Sequence, residues 1–381
     1  MKDISDIRGE IDRIDDEIAS RFKRRLEIMA DVAASKAARG APITDPARER
    51  AILSRVTEDV GPAFENAARL FFSTLFGISK ARQRTMLGRG SALIAQMKDA
   101  LAKSARFPTR AMVACQGTEG AYAQQATTLL FPLPTILYLD NAESVFEGVE
   151  RGMFAYGIVP IENPASGAVA AVYDLMVRHH CHIARSIRLR VDHVLLAPHG
   201  VKLEDVREVC SHPHALAQCS GFLRAHPSIR AVPGANTAVA ARALAQSDRR
   251  DAAVIASRAC AELYGLDILA ENLSDAVCNY TRFVCIARDL EVHPDATKFS
   301  VMFTLSHRAG ALNAVIAKFA AIDVNLTEIT SHPVPGMDLE YQFVLAFEAP
   351  AADENVLALL AELSEDPDIR HFTLLGVYAE K

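Results

Sequence analysis

The 381-residue sequence predicts a multidomain protein with an all-α region, an α/β region and a βαββαβ region, in that order. Apolar residues recur every three or four positions through roughly the first hundred residues, which is typical of amphipathic helices. Beyond residue 110, short apolar runs alternate with helical stretches. After Lys298 one strand–helix–strand–strand–helix–strand series closes the chain. The length also indicates several domains, because single cores stop growing at about 250–300 residues.

Composition and charge exclude several classes of function. The net charge of −6 leaves no basic surface for nucleic acid, so any anion site must be built from local Arg and Lys. The seven cysteines include no C-x-x-C pair, which argues against a zinc ribbon or a disulfide framework and favours a reducing cytoplasm. No apolar run is long enough to span a membrane, and no secretory segment is present. We therefore expect a cytoplasmic protein with no nucleic-acid or membrane partner.

The first predicted helix, from residue 3 to a break at residues 40–42, carries cations on its apolar face. On a helical wheel, Arg25 and Lys36 fall inside the apolar stripe, and Arg8 lies at its edge. One long side chain could extend to water from such a stripe. Two cations centred on it require an anion, either a protein carboxylate or a ligand, because buried unpaired charge is very costly. The stripe consists of Ile7, Ile11, Ile14, Ile18 and Met29.

Two shorter helices follow and add polar groups. Asp45 followed by Pro46 is a typical helix start, and this second helix runs to about residue 60. The third helix begins near residue 63 and continues past Gln83. One row of its residues, at four-residue spacing, turns from apolar to polar, which predicts a polar pocket at one end of a helical bundle. The row consists of Phe71, Leu75, Ser79 and Gln83.

Residues 3 to about 90 resemble the all-helical chorismate mutases. The resemblance rests on the arginines in "IRGEIDRID" and "KRRLEIM", on Lys36, and on an Asp-x-x-Arg-Glu sequence that opens the second helix. On the third helix, Ile78 with Arg82 is the alternative register to Ser79 with Gln83. The resemblance implies an intertwined homodimer through these helices, in which Arg8 reaches the partner's site. The site residues that it implies are Arg8, Arg25, Lys36, Asp45, Arg48, Glu49, Ser79 and Gln83.

The reaction implied by this resemblance fits these residue types. Chorismate rearranges to prephenate without a nucleophile, a proton transfer or a metal, so catalysis depends on holding a dianion compactly. Arg8 and Arg25 would clamp carboxylates through paired hydrogen bonds. Lys36 and Gln83 would donate to the ether oxygen and the enolpyruvyl group. Glu49, and the backbone at Asp45, would take the ring hydroxyl.

The α/β region places polar residues at predicted strand ends. Glu162 and Asn163 directly follow an apolar run, and in an open α/β sheet such positions face the ligand crevice, although a simple turn also explains them. The Gly117–Gly120 stretch follows another strand and offers backbone N–H groups to an anion. Asn279–Phe283 stand just ahead of a predicted strand at residues 284–287. The other predicted strands are Ala111–Ala114, Tyr156–Val159, Val191–Leu196 and Ala253–Ile255.

Four motifs across about 110–290 resemble those of prephenate dehydratase, in the family's order: "GTEGAY", "VPIENPASGAV", "SHPHALAQC" and "NYTRFV". The resemblance implies two α/β lobes around a cleft, similar to periplasmic binding proteins, with Thr281 as the key catalytic residue. Pro164 departs from the family, which commonly has Ser or Thr there, and Ser166 is a candidate replacement. The implied site residues are Glu162, Asn163 and Thr281 for catalysis, and Gly117, Thr118, Gly120, Ser166, Gly167, Arg282 and Phe283 for binding.

Prephenate must lose its ring carboxylate as carbon dioxide and its hydroxyl as water. We expect Thr281 to help protonate the leaving hydroxyl, and Glu162 with Asn163 to position it or relay the proton. Arg282 and the Gly117–Gly120 backbone would contact the anion. Neither reaction needs a cofactor or a metal, and the histidines at residues 179–182 and 212–214 have no carboxylate at helical ligand spacing.

The C-terminal segment is predicted to have a ferredoxin-like βαββαβ fold and resembles an ACT domain, a small amino-acid-binding module. In dehydratases this module binds phenylalanine, which inhibits the enzyme. Thr330-Ser331-His332-Pro333 stands in place of the usual Glu-Ser-Arg-Pro, and a neutral histidine does not hold an anion as arginine does. A purely structural dimerisation module is the alternative. The implied effector residues are Gly310, Ala311, Leu312, Asn325, Leu326, Ser331, His332 and Pro333.

The sequence therefore predicts a bifunctional chorismate mutase and prephenate dehydratase of phenylalanine biosynthesis, with domains at residues 1–100, 110–288 and 297–381. Its substrates would be chorismate and prephenate, and phenylalanine is the candidate effector. Two alternatives stay open: a single live activity beside a relic domain, or a middle domain that senses a ligand without chemistry. The intact Thr281-Arg282-Phe283 sequence argues against the second.

Overall fold

The computed structural model describes residues 3–86, 92–163, 167–168, 170–276, 279–334 and 340–381. The chain divides into two compact units. The first comprises residues 1–95, 308–321 and 358–367, and the second comprises residues 96–307, 322–357 and 368–381. The predicted domain boundaries at residues 1–100, 110–288 and 297–381 remain predictions.

The described elements alternate as the sequence predicts. The helices are α1 (Ile4–Arg39), α2 (Pro46–Val60), α3 (Glu65–Met86), α4 (Ala92–Ala102), α5 (Tyr122–Leu130), α6 (Ala142–Glu150), α7 (Ala170–Arg178), α8 (Pro213–Gln218), α9 (Ser220–Ala225), α10 (Thr237–Ala245), α11 (Ala259–Tyr264), α12 (Ala311–Ala320) and α13 (Glu354–Glu365). The strands are β1 (Arg110–Gln116), β2 (Leu133–Leu139), β3 (Tyr156–Asn163), β4 (Gly167–Ala168), β5 (His182–Arg190), β6 (His193–Pro198), β7 (Glu208–Ser211), β8 (Arg230–Pro233), β9 (Ala252–Ser257), β10 (Leu266–Ala270), β11 (Tyr280–Ala287), β12 (Lys298–Leu305), β13 (Leu326–Pro333), β14 (Tyr341–Glu348) and β15 (Ile369–Glu380).

Helices α1, α2 and α3 begin and end where local signals predict. Gly40, with a φ of 62°, ends α1, because glycine adopts the left-handed conformation of a helix C-terminus without strain. At the start of α2 the Asp45 carboxylate accepts a hydrogen bond of 3.0 Å from the backbone N–H of Arg48. Both helix boundaries confirm the sequence prediction.

The apolar stripe of α1 remains exposed in the single chain. Ile11 and Ile14 are 50% and 53% exposed, and their neighbours on the stripe are similar. A helix in a globular protein normally buries such a stripe against another element.

The second unit contains two sheets, which form two α/β lobes as predicted. One sheet has the order β13-β14-β12-β15-β5-β11-β3-β1-β2, with β4 paired to β3, and the other has the order β10-β6-β9-β7-β8. Strands β1, β2 and β3 are parallel, and β11 lies antiparallel between β3 and β5. Each lobe has its own apolar core.

Three predicted strand boundaries are wrong. β3 continues through Glu162 and Asn163, so these residues form its last two positions rather than a following turn. β11 begins at Tyr280, which places the Thr-Arg-Phe sequence inside the strand. The strand predicted at residues 191–196 begins two residues later, because β5 ends at residue 190 and β6 runs from His193 to Pro198. In β3 and β11, pairing across the sheet overrides the local propensity of the charged and polar positions.

The C-terminal strands and helices follow the predicted βαββαβ order. β12 lies between β14 and β15 and is antiparallel to both, while β13 lies at the edge beside β14. β15 pairs in parallel with β5 and so joins these strands to the first α/β sheet. Gly376 permits this pairing, because a Cβ at this position would lie 2.3 Å from the carbonyl oxygen of Ile183.

Candidate active sites

The first candidate site lies between α1 and α3. Arg25 is partly buried and donates to the hydroxyl of Ser79 and, at 3.4 Å, to the carbonyl oxygen of Leu75. Gln83 is buried beside Met29, with 3.6 Å between its Nε2 and the methionine sulfur. Burial lowers the pKa of Arg25, so an incoming carboxylate would restore stabilisation that this guanidinium has lost by leaving water.

The register of α3 favours Ser79 with Gln83. These two side chains are buried toward α1, whereas Ile78 is 40% exposed and Arg82 is also exposed. Among the described residues, Oε1 of Gln83 is buried without a hydrogen-bond partner. A buried polar atom without a partner is costly, so this amide is suited to a ligand.

The remaining predicted mutase residues lie on α1 and α2. Lys36 donates to the backbone carbonyl of Ile43, and Glu49 forms an ion pair of 3.2 Å with Lys80. Arg48 is exposed. Arg8 is exposed and precedes Arg25 by 17 positions on the same helix, which corresponds to about 25 Å. Arg8 therefore does not share a pocket with Arg25 within one chain.

The second candidate site is a cavity of about 160 Å³ in the second unit. Thr281 and Phe283 face it from β11, and helix starts and histidines complete the wall. The lining residues are Tyr122, Val191, His193, His212, His214, Ala215, Gln218, Asn236, Thr237, Thr281 and Phe283. Thr281, the catalytic residue predicted from the "NYTRFV" motif, thus lies in the wall of this cavity.

Gln218 connects two histidines in this wall. Its Oε1 lies 2.9 Å from Nε2 of His193, and its Nε2 lies 3.0 Å from Nε2 of His214. The amide therefore requires the proton on Nε2 of His193 and an unprotonated Nε2 on His214. Burial lowers the pKa of His193, and burial followed by repulsion from His214 lowers that of His212. His193 and His212 are therefore neutral near pH 7.

Several of these residues were not assigned from the sequence. Tyr122, His214 and Gln218 lie inside the quoted motifs, but their roles were not predicted. His193 and the Asn236-Thr237 pair were missed. Two signals in the sequence could have indicated them. His193 is a polar residue at the start of the buried strand β6, and Asn236 caps α10 by accepting a hydrogen bond of 2.8 Å from the backbone N–H of Ala238.

Glu162 and Arg282 do not line this cavity. Arg282 lies between Thr281 and Phe283 on β11, so its side chain points to the opposite face of the strand. There it forms an ion pair of 3.1 Å with Glu162 and a second one with Glu328. The substrate contact predicted for Arg282 and the proton relay predicted for Glu162 are not supported by this arrangement.

The predicted anion loop is largely satisfied within the protein. The N–H of Gly117 donates to the carbonyl of Leu139 at 2.8 Å, and that of Gly120 donates to the side chain of Gln124 at 2.6 Å. Thr118 accepts a hydrogen bond of 3.3 Å from Arg242. None of these three loop residues lines the cavity. Ser166, Pro164 and the side chain of Asn163 lie outside the described residues, while the backbone of Asn163 pairs with Gly167.

The predicted effector residues are distributed over α12 and β13. Gly310 is the N-cap residue of α12 with a φ of 80°, followed by buried Ala311 and partly buried Leu312. Asn325 precedes β13, and Leu326 begins it. Ser331 and Pro333 are exposed. The ring of His332 lies 6.1 Å from that of Tyr173, and its Nε2 is buried without a partner in the described part of the chain.

Comparison with known proteins identifies the family. The family model for chorismate mutase type II matches residues 7–84, and that for prephenate dehydratase matches residues 113–291. A bifunctional chorismate mutase/prephenate dehydratase of Aquifex aeolicus is 30% identical over 99% of this chain and 98% of its own length. This chain belongs to the bifunctional chorismate mutase/prephenate dehydratases.

Two further relatives cover the dehydratase part. Arogenate dehydratase/prephenate dehydratase 2 of Arabidopsis thaliana is 37% identical over 70% of this chain and 72% of its own length. The solved structure of a prephenate dehydratase from Arthrobacter aurescens in complex with L-Phe is 30% identical, with a TM-score of 0.63, and the match covers 70% of this chain and 90% of that one.

The bifunctional enzyme therefore rearranges chorismate to prephenate and converts prephenate to phenylpyruvate, in phenylalanine biosynthesis. Both predicted activities are confirmed. None of the helices that the structure describes is long and apolar enough to cross a membrane.

Proposed function

We propose that two chains share each mutase site, whereas the dehydratase cavity is complete within one chain. The separation of about 25 Å between Arg8 and Arg25 along α1 carries the first part of this proposal. In an isologous pair of α1 helices, Arg8 of one chain can approach the pocket of the other. The exposed apolar stripe of α1 would be the surface that the partner covers.

In the mutase site, the cations bind and compact the substrate dianion. Arg25, together with Arg8 from the second chain, would hold the carboxylates, and Lys36 would stabilise negative charge on the breaking ether oxygen. Gln83 and Ser79 are already buried between α1 and α3, so their side chains need to move little when the substrate binds. Arg48, Glu49 and Asp45 at the start of α2 would complete the contacts to the ring and its hydroxyl.

In the dehydratase site, Thr281 would donate a hydrogen bond to the leaving hydroxyl of prephenate. The electron pair of the bond to the ring carboxylate enters the ring as carbon dioxide leaves. The hydroxyl takes the proton of the Thr281 hydroxyl and departs as water, and Thr281 regains a proton from solvent. The chain from His193 through Gln218 to His214 fixes donors and acceptors in the same wall. This arrangement supports a preorganised polar site around Thr281.

The cavity favours prephenate over arogenate. Arogenate carries an ammonium group where prephenate carries a keto group, and a buried ammonium requires an acidic partner. None of the described residues that line the cavity is Asp or Glu. The keto acid therefore fits the neutral wall better than the amino acid.

We also propose that the C-terminal region is an ACT domain that binds phenylalanine, and that the enzyme works in the cytoplasm. The βαββαβ order, the L-Phe complex of the Arthrobacter aurescens relative and the unpartnered Nε2 of His332 support the effector site. The six described cysteines are free thiols, which supports a reducing compartment.

One assay series tests these proposals. The purified full-length protein receives chorismate, prephenate or arogenate, with and without phenylalanine, while substrate loss and product formation are followed. We expect phenylpyruvate from chorismate and from prephenate, turnover of arogenate at least about tenfold slower, and inhibition by phenylalanine. Accumulation of prephenate from chorismate would contradict the dehydratase mechanism, and equal use of arogenate would contradict the substrate preference.

A further inference from the structure

Arg282 lies in a buried charged cluster that includes a residue of the C-terminal strand β13. The Arg282 side chain is only 5% exposed and contacts Glu162 of β3 and Glu328 of β13. The hydroxyls of Tyr173 and Thr330 each donate to Oε1 of Glu328 at 3.3 Å. Strands β13 and β11 are not neighbours in the sheet, so no backbone pairing joins them. The Arg282–Glu328 ion pair therefore links the α/β region directly to the C-terminal βαββαβ region.

This cluster lies on the reverse side of the dehydratase wall. Thr281 and Phe283 face the cavity, and Arg282 between them faces the cluster. Successive residues of one strand share a backbone, so a displacement of Arg282 also displaces the hydroxyl of Thr281. The contacts of Arg282 in this cluster can therefore determine where the Thr281 hydroxyl lies in the cavity wall.

The backbone pairing of β11 is interrupted at this point. Arg282 pairs with Glu162 but Phe283 pairs with Pro160, which leaves Ile161 as an extra residue in β3. Such a bulge disrupts the ladder, and Pro160 has no N–H to donate. The ion pair between Arg282 and Glu162 therefore adds a side-chain contact between β11 and β3 where the backbone pairing is disrupted.

Charge balance explains why Glu328 matters in addition to Glu162. Burial is the largest single effect and lowers the pKa of Arg282, but the attraction and hydrogen bond of Glu328, together with Tyr378 and Tyr173, outweigh it and leave the pKa raised. The guanidinium therefore stays charged in a buried place. Glu162 is 37% exposed and Glu328 only 15% exposed, so Glu328 is the less screened of the two partners.

We propose that Glu328 is a positioning residue of the dehydratase: by holding Arg282, it places Thr281 for protonation of the leaving hydroxyl. The C-terminal region thereby contributes to the active site without touching the substrate. This inference rests on the dehydratase activity and on the role of Thr281 in it.

The test uses the full-length enzyme with Glu328→Gln, an isosteric change, and Glu348→Gln as the matched control at the exposed end of β14. Dehydratase kcat and KM for prephenate are measured together with mutase kcat on the same preparation. We expect Glu328→Gln to lower dehydratase kcat by about tenfold or more, because small misplacements of reacting groups are costly. KM should change by less than about threefold, and mutase kcat should be unchanged. Glu328→Asp should recover part of the loss.

Other outcomes separate the explanations. An unchanged dehydratase kcat in Glu328→Gln would overturn the inference, as would an equal loss of kcat in Glu348→Gln. Equal loss of both activities with a lowered melting temperature would assign Glu328 a purely structural role and would also overturn it. If Glu328→Gln does not fold, Tyr173→Phe removes one donor to Glu328, and an unchanged dehydratase kcat in that variant counts against the inference. Wild-type enzyme that makes no phenylpyruvate would instead overturn the function itself.

Discussion

The mutase helices and the dehydratase lobes differ in how much of a site one chain supplies. On α1 the apolar stripe is exposed, and Arg8 lies about 25 Å along the helix from Arg25. In the dehydratase, the wall around Thr281 comes from one compact unit and is linked by hydrogen bonds. On the proposals above, the first reaction depends on association between chains, whereas the second depends on the internal position of one strand.

Removal of the Thr281 hydroxyl should have the largest effect. We expect Thr281→Val to lower dehydratase kcat by at least about 100-fold, because the leaving hydroxyl loses its proton donor, and to leave mutase kcat unchanged. Thr128→Val, at an exposed position on α5, is the matched control. Substantial dehydratase activity in Thr281→Val at saturating prephenate would contradict the assignment.

A charge introduced into the apolar stripe of α1 should lower the mutase activity. We expect Ile11→Asp to lower mutase kcat by about tenfold, because a carboxylate in an apolar interface weakens association. Analytical ultracentrifugation should show a smaller species, and dehydratase kcat should stay within about twofold. Asp16→Asn, on the opposite side of α1, is the control. Full mutase activity in an Ile11→Asp monomer would show that one chain is sufficient.

The smallest of the expected changes in activity is the pH dependence of the dehydratase. Because burial depresses the pKa of His193 and His212 below 6.5, their neutral forms persist as the pH falls toward that value. His193 and His212 gain a proton and a positive charge only when the pH passes below these depressed pKa values. We therefore expect dehydratase kcat/KM to be constant from about pH 8 to about pH 6.5 and to fall only at lower pH. A decline that begins near pH 7 or above would contradict the neutral forms of His193 and His212.

Local patterns in the sequence predicted the first helices and the βαββαβ order of the C-terminal elements correctly, and they marked Thr281, which lines the cavity; its catalytic role stays a prediction. Caps such as Asp45 and the three–four apolar spacing of α1 are local signals, so they can be recognised without a tertiary structure. The motifs also marked the strands that form the dehydratase wall. The exact strand ends were not predictable, since Glu162 and Arg282 are extended because they pair with each other across the sheet.

The sequence could not predict the orientation of Arg282. Its partner Glu328 lies 46 positions later in the chain, and no local pattern connects them. A positive residue beside a catalytic threonine is naturally interpreted as an anion contact. Alternation along β11 instead places this side chain on the face opposite the cavity, where it pairs with Glu162 and Glu328. His193 was missed for a similar reason, because its partner Gln218 lies 25 positions away.

Subunit complementation tests most directly whether the mutase site is shared. Arg8→Ala and Arg25→Ala chains are each inactive as mutases if both arginines are needed. When equal amounts are mixed and allowed to exchange, half of the dimers are mixed and each of these holds one intact site. We therefore expect recovery of about a quarter of wild-type mutase activity, with dehydratase activity unchanged throughout. No recovery after exchange has been verified would contradict a shared site and place Arg8 outside the reaction.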